Sequence, residues 1–249
     1  MSGADPRQRA HWDALSKIDP EAAVIDPNDR IGRKNTYLAS IRDAAFRESL
    51  ARYAVSKGKL LDLGCGSASA TSSLLDAGHS VLGIDISTGL LRHAQSRCSG
   101  RSCLFVATDG KHLPVADDAL DATVVYVVLS YIADDEQAKN LLADIRQALK
   151  PGAPLIMIEQ TRTSRRVAEQ GLKLHRSRQE WLALLRSAGF TIDRSSILRH
   201  GRFPSTPLIA AGLIPRWAWP YARLLEIRIA SVTGVLPWDY AEVLFEARA

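Results

Sequence analysis

The chain has 249 residues, 46% of them hydrophobic and 24% charged, with a formal net charge of +5. That balance excludes a disordered or fibrous protein, and no apolar run reaches the ~18 residues of a membrane span. The three cysteines, Cys65, Cys98 and Cys103, make no CxxC pair and read as reduced thiols rather than a secreted disulfide framework.

Residues 1–35 are polar and turn-rich, with Asp-Pro at 5, 19 and 26. The N-terminus lacks the apolar stretch of a signal peptide, so a cytoplasmic location is expected. From Thr36 the apolar positions Leu38, Ile41, Ala45, Leu50 and Tyr53 recur at helical spacing, predicting a helix that ends before Lys57-Gly58. Beyond it, short apolar runs alternate with helical stretches. Lys59–Leu63, Ser80–Ile84, Cys103–Ala107, Ala122–Leu129, Pro154–Ile158, Thr191–Leu198 and Tyr240–Glu246 read as strands.

Ser87 is a candidate cap for a helix through Arg97, because its hydroxyl can accept an otherwise orphan amide hydrogen bond. Asp134 with Gln137 predicts a capping box for a helix ending at Leu149, and Ser177 with Glu180 predicts another for a helix ending at Gly189. Asp134 and Asp135 are thereby assigned to capping rather than catalysis. Strands alternating with helices over this length indicate an α/β, doubly wound sheet.

Two segments stand apart. From Arg162 to Arg202 ten Lys/Arg face three acids, a local charge of +7 that points either to an anionic partner or to a solvated basic face. Gly201–Asp239 interrupts the alternation with Trp217, Trp219, Trp238 and a helical stretch around Tyr221–Val232. It is too apolar for a linker and reads as an inserted cap. Three roles are open to it: a core elaboration, a lid over an apolar or glycosidic acceptor, or a membrane patch. In the last, Trp217, Trp219, Leu224, Leu225 and Ile229 with Arg216, Arg223 and Arg228 would dock on the anionic inner face of a membrane.

The chemistry concentrates at Leu60-Leu61-Asp62-Leu63-Gly64-Cys65-Gly66-Ser67-Ala68, which ends the first strand and opens a helix. Glycines there let backbone approach a ligand closely. Val81-Leu82-Gly83-Ile84-Asp85 then puts a carboxylate at the end of the second strand, at the spacing where an acid meets ribose hydroxyls. A dinucleotide fingerprint would need glycine where Ser69 stands. Asp62, just before the turn, would repel a pyrophosphate and welcome a cation. Asp109, in Ala107-Thr108-Asp109-Gly110, can accept a hydrogen bond from an exocyclic amine. A cationic nucleoside fits better than a dianionic one.

In these motifs the sequence resembles the class I S-adenosylmethionine (SAM) dependent methyltransferases, of the small-molecule, type 11-like kind. The likeness runs from LLDLGCGSA at 60 through GIDIS at 83 and ATDGKHLPVADDALDATVV at 107 to LKPGAPLIMIE at 149. It implies a Rossmann-like seven-stranded sheet, order 3-2-1-4-5-7-6 with the last strand antiparallel. An N-terminal helical segment (1–57) would precede a SAM-binding domain (58–249) carrying the helical insertion 201–239 between strands 6 and 7. It also implies a cofactor site in which Asp62, Gly64, Cys65 and Gly66 surround the amino-acid end of SAM and Asp85 binds the ribose. Ile86 would pack on adenine, Asp109 and Gly110 would contact the adenine edge, and Val127 would line the methionine side. Ala68 departs from the family's usual third glycine.

The resemblance also narrows the acceptor. Metal-assisted members place acids at the ends of the fourth and fifth strands, whereas here Val127-Val128-Leu129-Ser130-Tyr131 follows the fourth, so no metal is expected. The same stretch replaces the Asp/Asn-Pro-Pro-Tyr/Phe motif of amino-methylating members. Candidate catalytic groups are Tyr131, Glu159 at the end of the fifth strand, and His175, whose imidazole titrates near neutral pH. His200, His11 and Tyr37 are weaker candidates, and Arg33 or Lys34 could meet a carboxylate or phosphate. The expected activity is in-line methyl transfer to a hydroxyl of a small molecule or glycan, lipid-linked or phosphorylated forms included, releasing S-adenosylhomocysteine. N- or C-methylation of a secondary metabolite and a non-catalytic SAM-fold binding protein are the alternatives. With no RNA-binding module attached to the basic segment, nucleic acid ranks behind them as a substrate.

Overall fold

The computed structural model describes residues 6–18, 26, 29, 31–201, 203–232 and 240–249. Helices α1 (Pro6–Ser16) and α2 (Arg33–Arg52) precede strand β1 (Lys59–Leu63). There follow α3 (Ser69–Asp76), β2 (Ser80–Asp85), α4 (Thr88–Arg97), β3 (Cys103–Ala107), β4 (Ala122–Tyr126), α5 (Asp135–Ala148) and β5 (Pro154–Arg162). The C-terminal part holds β6 (Arg166–Ala168), β7 (Lys173–Ser177), α6 (Arg178–Ser187), β8 (Thr191–His200), α7 (Ser205–Ala210), α8 (Trp219–Val232) and β9 (Ala241–Arg248).

The main sheet runs β3-β2-β1-β4-β5-β9-β8, with β9 antiparallel to both its neighbours. This is the expected seven-strand order with its antiparallel last strand. The hairpin β6–β7 was not legible in the sequence pattern. Its strand β7 continues the sheet beside the end of β5, in parallel, through Thr161↔Arg176 and Arg162↔Ser177.

Side chains alternate across a strand, so β1, β4 and β5 send Leu60, Val124 and Ile156 to one face and Leu61, Val125 and Met157 to the other. Helix α2 covers the first face with Ile41, Phe46 and Leu50, while α5 and α6 cover the second with Leu142, Ile145, Trp181 and Leu185. Val124 and Ile156 have no exposed surface; burying such a side chain contributes about 1.5–3 kcal/mol relative to leaving it in water. Both faces of the sheet are covered, as a parallel sheet requires.

The helix starts follow their caps. Ser87 accepts from the Leu90 N–H at 3.1 Å, and Ser177 with Glu180 forms the full reciprocal box. At α5 Asp134 accepts the Gln137 N–H, but the Gln137 side chain takes no part in the cap described there. Asp135 is not a cap: it pairs with Arg165 and Arg176.

Strand β4 ends at Tyr126 rather than the expected Leu129. The next residue, Val127, turns to φ +53°, and the chain enters a 3-10 turn at Leu129–Tyr131. The insertion between β8 and β9 contains α7, which the apolar pattern did not predict, and α8, which it did. Trp238 lies outside the described residues. Among those described, no helix is long and apolar enough to cross a membrane.

Candidate active site

The turn after β1 is shaped by contacts that only glycine permits. Gly64 sits at φ +68°, and a Cβ there would collide with the Val128 side chain. Its N–H and that of Cys65 donate to the Ile84 carbonyl at 2.7 and 3.1 Å, holding the turn to the end of β2. Ala68, at the position of the family's third glycine, also carries a positive φ of 66° and is fully buried. The left-handed conformation that glycine adopts without cost is imposed here on alanine.

Asp85 joins two loops. Its Oδ2 accepts the Gly66 N–H at 2.9 Å and its Oδ1 accepts the Ser87 N–H at 2.8 Å. Burial pushes this carboxyl above the usual carboxylate range, while those backbone bonds pull it back. The pocket in front of it is walled by Ile84, Ile86 and Leu90 on the apolar side and by the backbone of Gly64, Gly66 and Gly110. A flat base between apolar walls and a ribose facing Asp85 fit this cradle, so these residues suit SAM. Val127 also faces it.

Three of the expected cofactor residues do not line the pocket. Asp62 is buried behind the turn, accepts from the Thr71 hydroxyl at 2.6 Å, and is pushed up to about 6 by desolvation. Cys65 is buried beside Gly83 and Phe105, and burial raises its thiol pKa, so it is an inert packing group. Asp109 turns away to accept the Lys111 and His112 N–H groups at 2.9 and 3.2 Å. It shapes the loop that presents Thr108, Gly110 and His112 to the pocket.

Helix α1 closes the pocket from above. Gln8 and Trp12 face into it, and Gln8 Nε2 donates to the Tyr131 and Leu172 carbonyls. Arg9 donates to the Thr108 carbonyl at 2.8 Å, while Asp13 accepts from Ser87 Oγ at 2.6 Å and from the Gly89 N–H. Ser87 therefore caps α4 and ties down α1 with one hydroxyl. Replacing it with alanine should destabilise the protein by about 1 kcal/mol in urea unfolding. Faster amide exchange across α1 in the same variant would report the lost tether; unchanged exchange there would refute the tether.

Beside the cofactor pocket lies a second cavity of about 570 Å³. Trp12, Tyr126, Val127 and Tyr131 border both spaces. Val127 is β-branched and held at φ +53°, a costly conformation, at the joint between them. Glu159 explains how the strain is sustained: its Oε1 accepts the Val128 and Leu129 N–H groups at 2.9 and 2.7 Å, and its Oε2 accepts from Ser130 Oγ. Glu159 is fully buried and its carboxylate is spent on this turn. The residue expected among the catalytic groups thus holds the turn that follows Val127.

Tyr131 and His175 do meet at the second cavity. The Tyr131 hydroxyl donates to Glu169 Oε1 at 3.3 Å, and burial with that carboxylate holds it far above its ordinary pKa. Lys173 Nζ lies 3.2 Å from that hydroxyl and 4.6 Å from the ring centre. His175 is buried, with its ring edge-on to Tyr240 at 6.0 Å. Lys173, Tyr240, Arg199 and Glu242 were missed as wall residues. Lys173 gave no signal because β7 is too short and too basic to show a strand pattern, and Arg199, Tyr240 and Glu242 gave none because a strand pattern does not say which of its polar residues border a cavity.

The basic run from Arg162 is largely consumed within the fold. Arg176 is buried, bonded to Asp135 and to the Leu129 and Ile132 carbonyls. Arg199 pairs with Glu242 at 2.8 Å, each about 2–3% exposed. Arg165 pairs with Asp135, and Arg178 bonds Ser195. Lys34 pairs with Asp26 at the edge of the second cavity, and Arg33 lies against Gly212 rather than at the cofactor pocket. No group of His, Cys, Asp and Glu suited to a metal is present among the described residues.

The strand order, the glycine turn and the carboxylate at the end of β2 define a class I SAM-dependent methyltransferase domain, and SAM is the cofactor such a domain takes. Residues 60–152 match the family described as "Methyltransferase domain". A demethylmenaquinone methyltransferase of Tropheryma whipplei (strain Twist) is 30% identical over 138 residues, covering 55% of this chain and 56% of that protein. The chain thus matches just over half the length of that curated relative. The SAM complex of phosphoethanolamine N-methyltransferase 2 from Haemonchus contortus superposes with a TM-score of 0.68 at 17% identity, over 97% of this chain and 59% of that one. A SAM-dependent methyltransferase from Leishmania major gives a TM-score of 0.68 at 14% identity, over 99% and 85% of the two chains. At those identities the structures establish the fold.

Proposed function

We propose that the protein is an enzyme that methylates a hydroxyl of a polar small molecule or glycan held in the second cavity. The observation that carries this reading is the cavity wall: Lys173, His175, Arg199 and Glu242 are all buried there, next to the joint at Val127. Arg199 and Glu242 pair with each other and Lys173 bonds Tyr131, yet an apolar acceptor would take none of the further hydrogen bonds such groups can make, whereas hydroxyls would bond with them. SAM, when bound, supplies an electrophilic methyl carbon. Helix α1 excludes water, Tyr131 turns its hydroxyl from Glu169 to the acceptor oxygen and orients it, and His175 takes the hydroxyl proton released as the O–C bond forms and the methyl's bond to sulfur breaks, leaving S-adenosylhomocysteine.

C-methylation is the second reading, favoured by the demethylmenaquinone methyltransferase relatives. Both are tested by incubating the protein with methyl-¹³C SAM and extracts split into lipid, polysaccharide and small-molecule fractions. The expected product signal is a methoxyl carbon in a polar fraction, lost in His175→Asn. A C-methyl signal in the lipid fraction would replace the first reading with the second. Absence of label despite tight cofactor binding would support a binding protein with this fold.

A further inference from the structure

Helix α8 faces the wrong way for a helix in water. Continuing its register back to Trp217, the residues Trp217, Tyr221, Leu224, Leu225 and Ile229 fall on one side of the wheel. That side is exposed: Trp217 is 76%, Tyr221 70%, Leu225 57% and Leu224 49% accessible. The opposite side carries the polar contacts. Glu226 is fully buried and accepts from the His200 N–H and Ser205 Oγ, and Arg223 donates to the Leu198 carbonyl. Trp219, which the membrane reading placed outward with Trp217, packs inward on Tyr37, with ring centres 5.4 Å apart. An amphipathic helix normally buries its apolar stripe. Here Glu226 and Arg223 are bonded inward beside Trp219, while Trp217, Tyr221, Leu224 and Leu225 are presented outward.

The charges on this face select its partner. From Gly201 to Val232 the sequence holds a single acid, Glu226, and that acid is buried. Arg216 and Arg228 are exposed along the same insertion. A second copy meeting this face through a two-fold contact would bring like charges together with no acid to offset them. We propose that the face docks on an anionic lipid bilayer. Trp217 and Tyr221 sit at the level of the headgroups, Leu224 and Leu225 enter the acyl boundary, and Arg216 and Arg228 meet lipid phosphates. This inference does not depend on which acceptor is methylated.

Flotation of the full chain with vesicles of phosphatidylcholine alone, and of phosphatidylcholine with phosphatidylglycerol, tests it. Binding to the anionic vesicles should exceed binding to neutral ones by about tenfold and should fall as salt is raised. Trp217→Ser with Leu225→Ser should cut it by about tenfold or more, with S-adenosylhomocysteine affinity unchanged as the check on folding. Failure to float with anionic vesicles would overturn the proposal, as would flotation indifferent to the double substitution. A dimer seen by light scattering that the same substitutions dissolve, without vesicle binding, would assign the face to self-association and overturn it too.

Discussion

Asp85→Ala is expected to weaken S-adenosylhomocysteine binding by about 100-fold or more in titration calorimetry, because hydrogen bonds to a charged group are each worth about 1.5–3 kcal/mol. The carboxylate accepts from Gly66 and Ser87, so its loss releases both loops that wall the pocket and removes the ribose partner as well. Asp85→Asn keeps the shape but lacks the charge and should fall between the two. The pH dependence has a defined sign. Burial raises this carboxyl, so in the free protein it takes up its proton at a higher pH than an ordinary aspartate. The protonated group is the poorer acceptor, so affinity should fall as pH is lowered through that range, and the fall should vanish in the asparagine variant. Parent-like affinity in Asp85→Ala would remove Asp85 from the site.

Glu242→Ala should destabilise the protein by about 3–5 kcal/mol in urea unfolding, the loss typical of leaving one partner of a buried ion pair uncompensated. Arg199 and Glu242 face each other across the β8–β9 ladder, and Arg199 NH2 also bonds Thr206 at the root of the insertion. Without the carboxylate, the guanidinium would remain buried among Tyr126, Tyr240 and the cavity wall. The double variant Arg199→Met, Glu242→Leu should recover most of the stability, because two apolar side chains remove the stranded charge along with the pair. It should still impair methyl transfer if the acceptor bonds this wall. A loss below about 1 kcal/mol in the single variant would mean that water or a neighbouring acid already compensates Arg199.

The cofactor half of the site was largely legible because its parts are local. Gly64, Gly66 and Asp85 lie within one strand–turn–helix–strand unit, and their spacing carries the geometry. Even there the side chains point elsewhere: Asp62 bonds the Thr71 hydroxyl and Asp109 the Lys111 N–H, since spacing places a carboxylate near a turn without saying which way it points. The acceptor half was much less legible. His175 is in the wall because β7 pairs with the end of β5, and two paired residues on each side of that junction leave no periodic trace. The bonds of Glu159 left no trace for a related reason, its partners being about thirty residues away along the chain.

The sequence alone determined the alternating strands and helices, the seven-strand sheet that its resemblance implied, and the turn that receives SAM, because hydrophobic period and glycine placement act over a few residues. Only the tertiary structure decided that α1 closes the pocket, that the basic run is paired internally, and that Trp219 is covered while Trp217 is not. A helical repeat shows that a helix has two faces. Which face turns inward depends on what the neighbouring elements offer, and here the buried backbone of β8 and the Ser205 hydroxyl drew Glu226 and Arg223 in and left the apolar side of α8 outside.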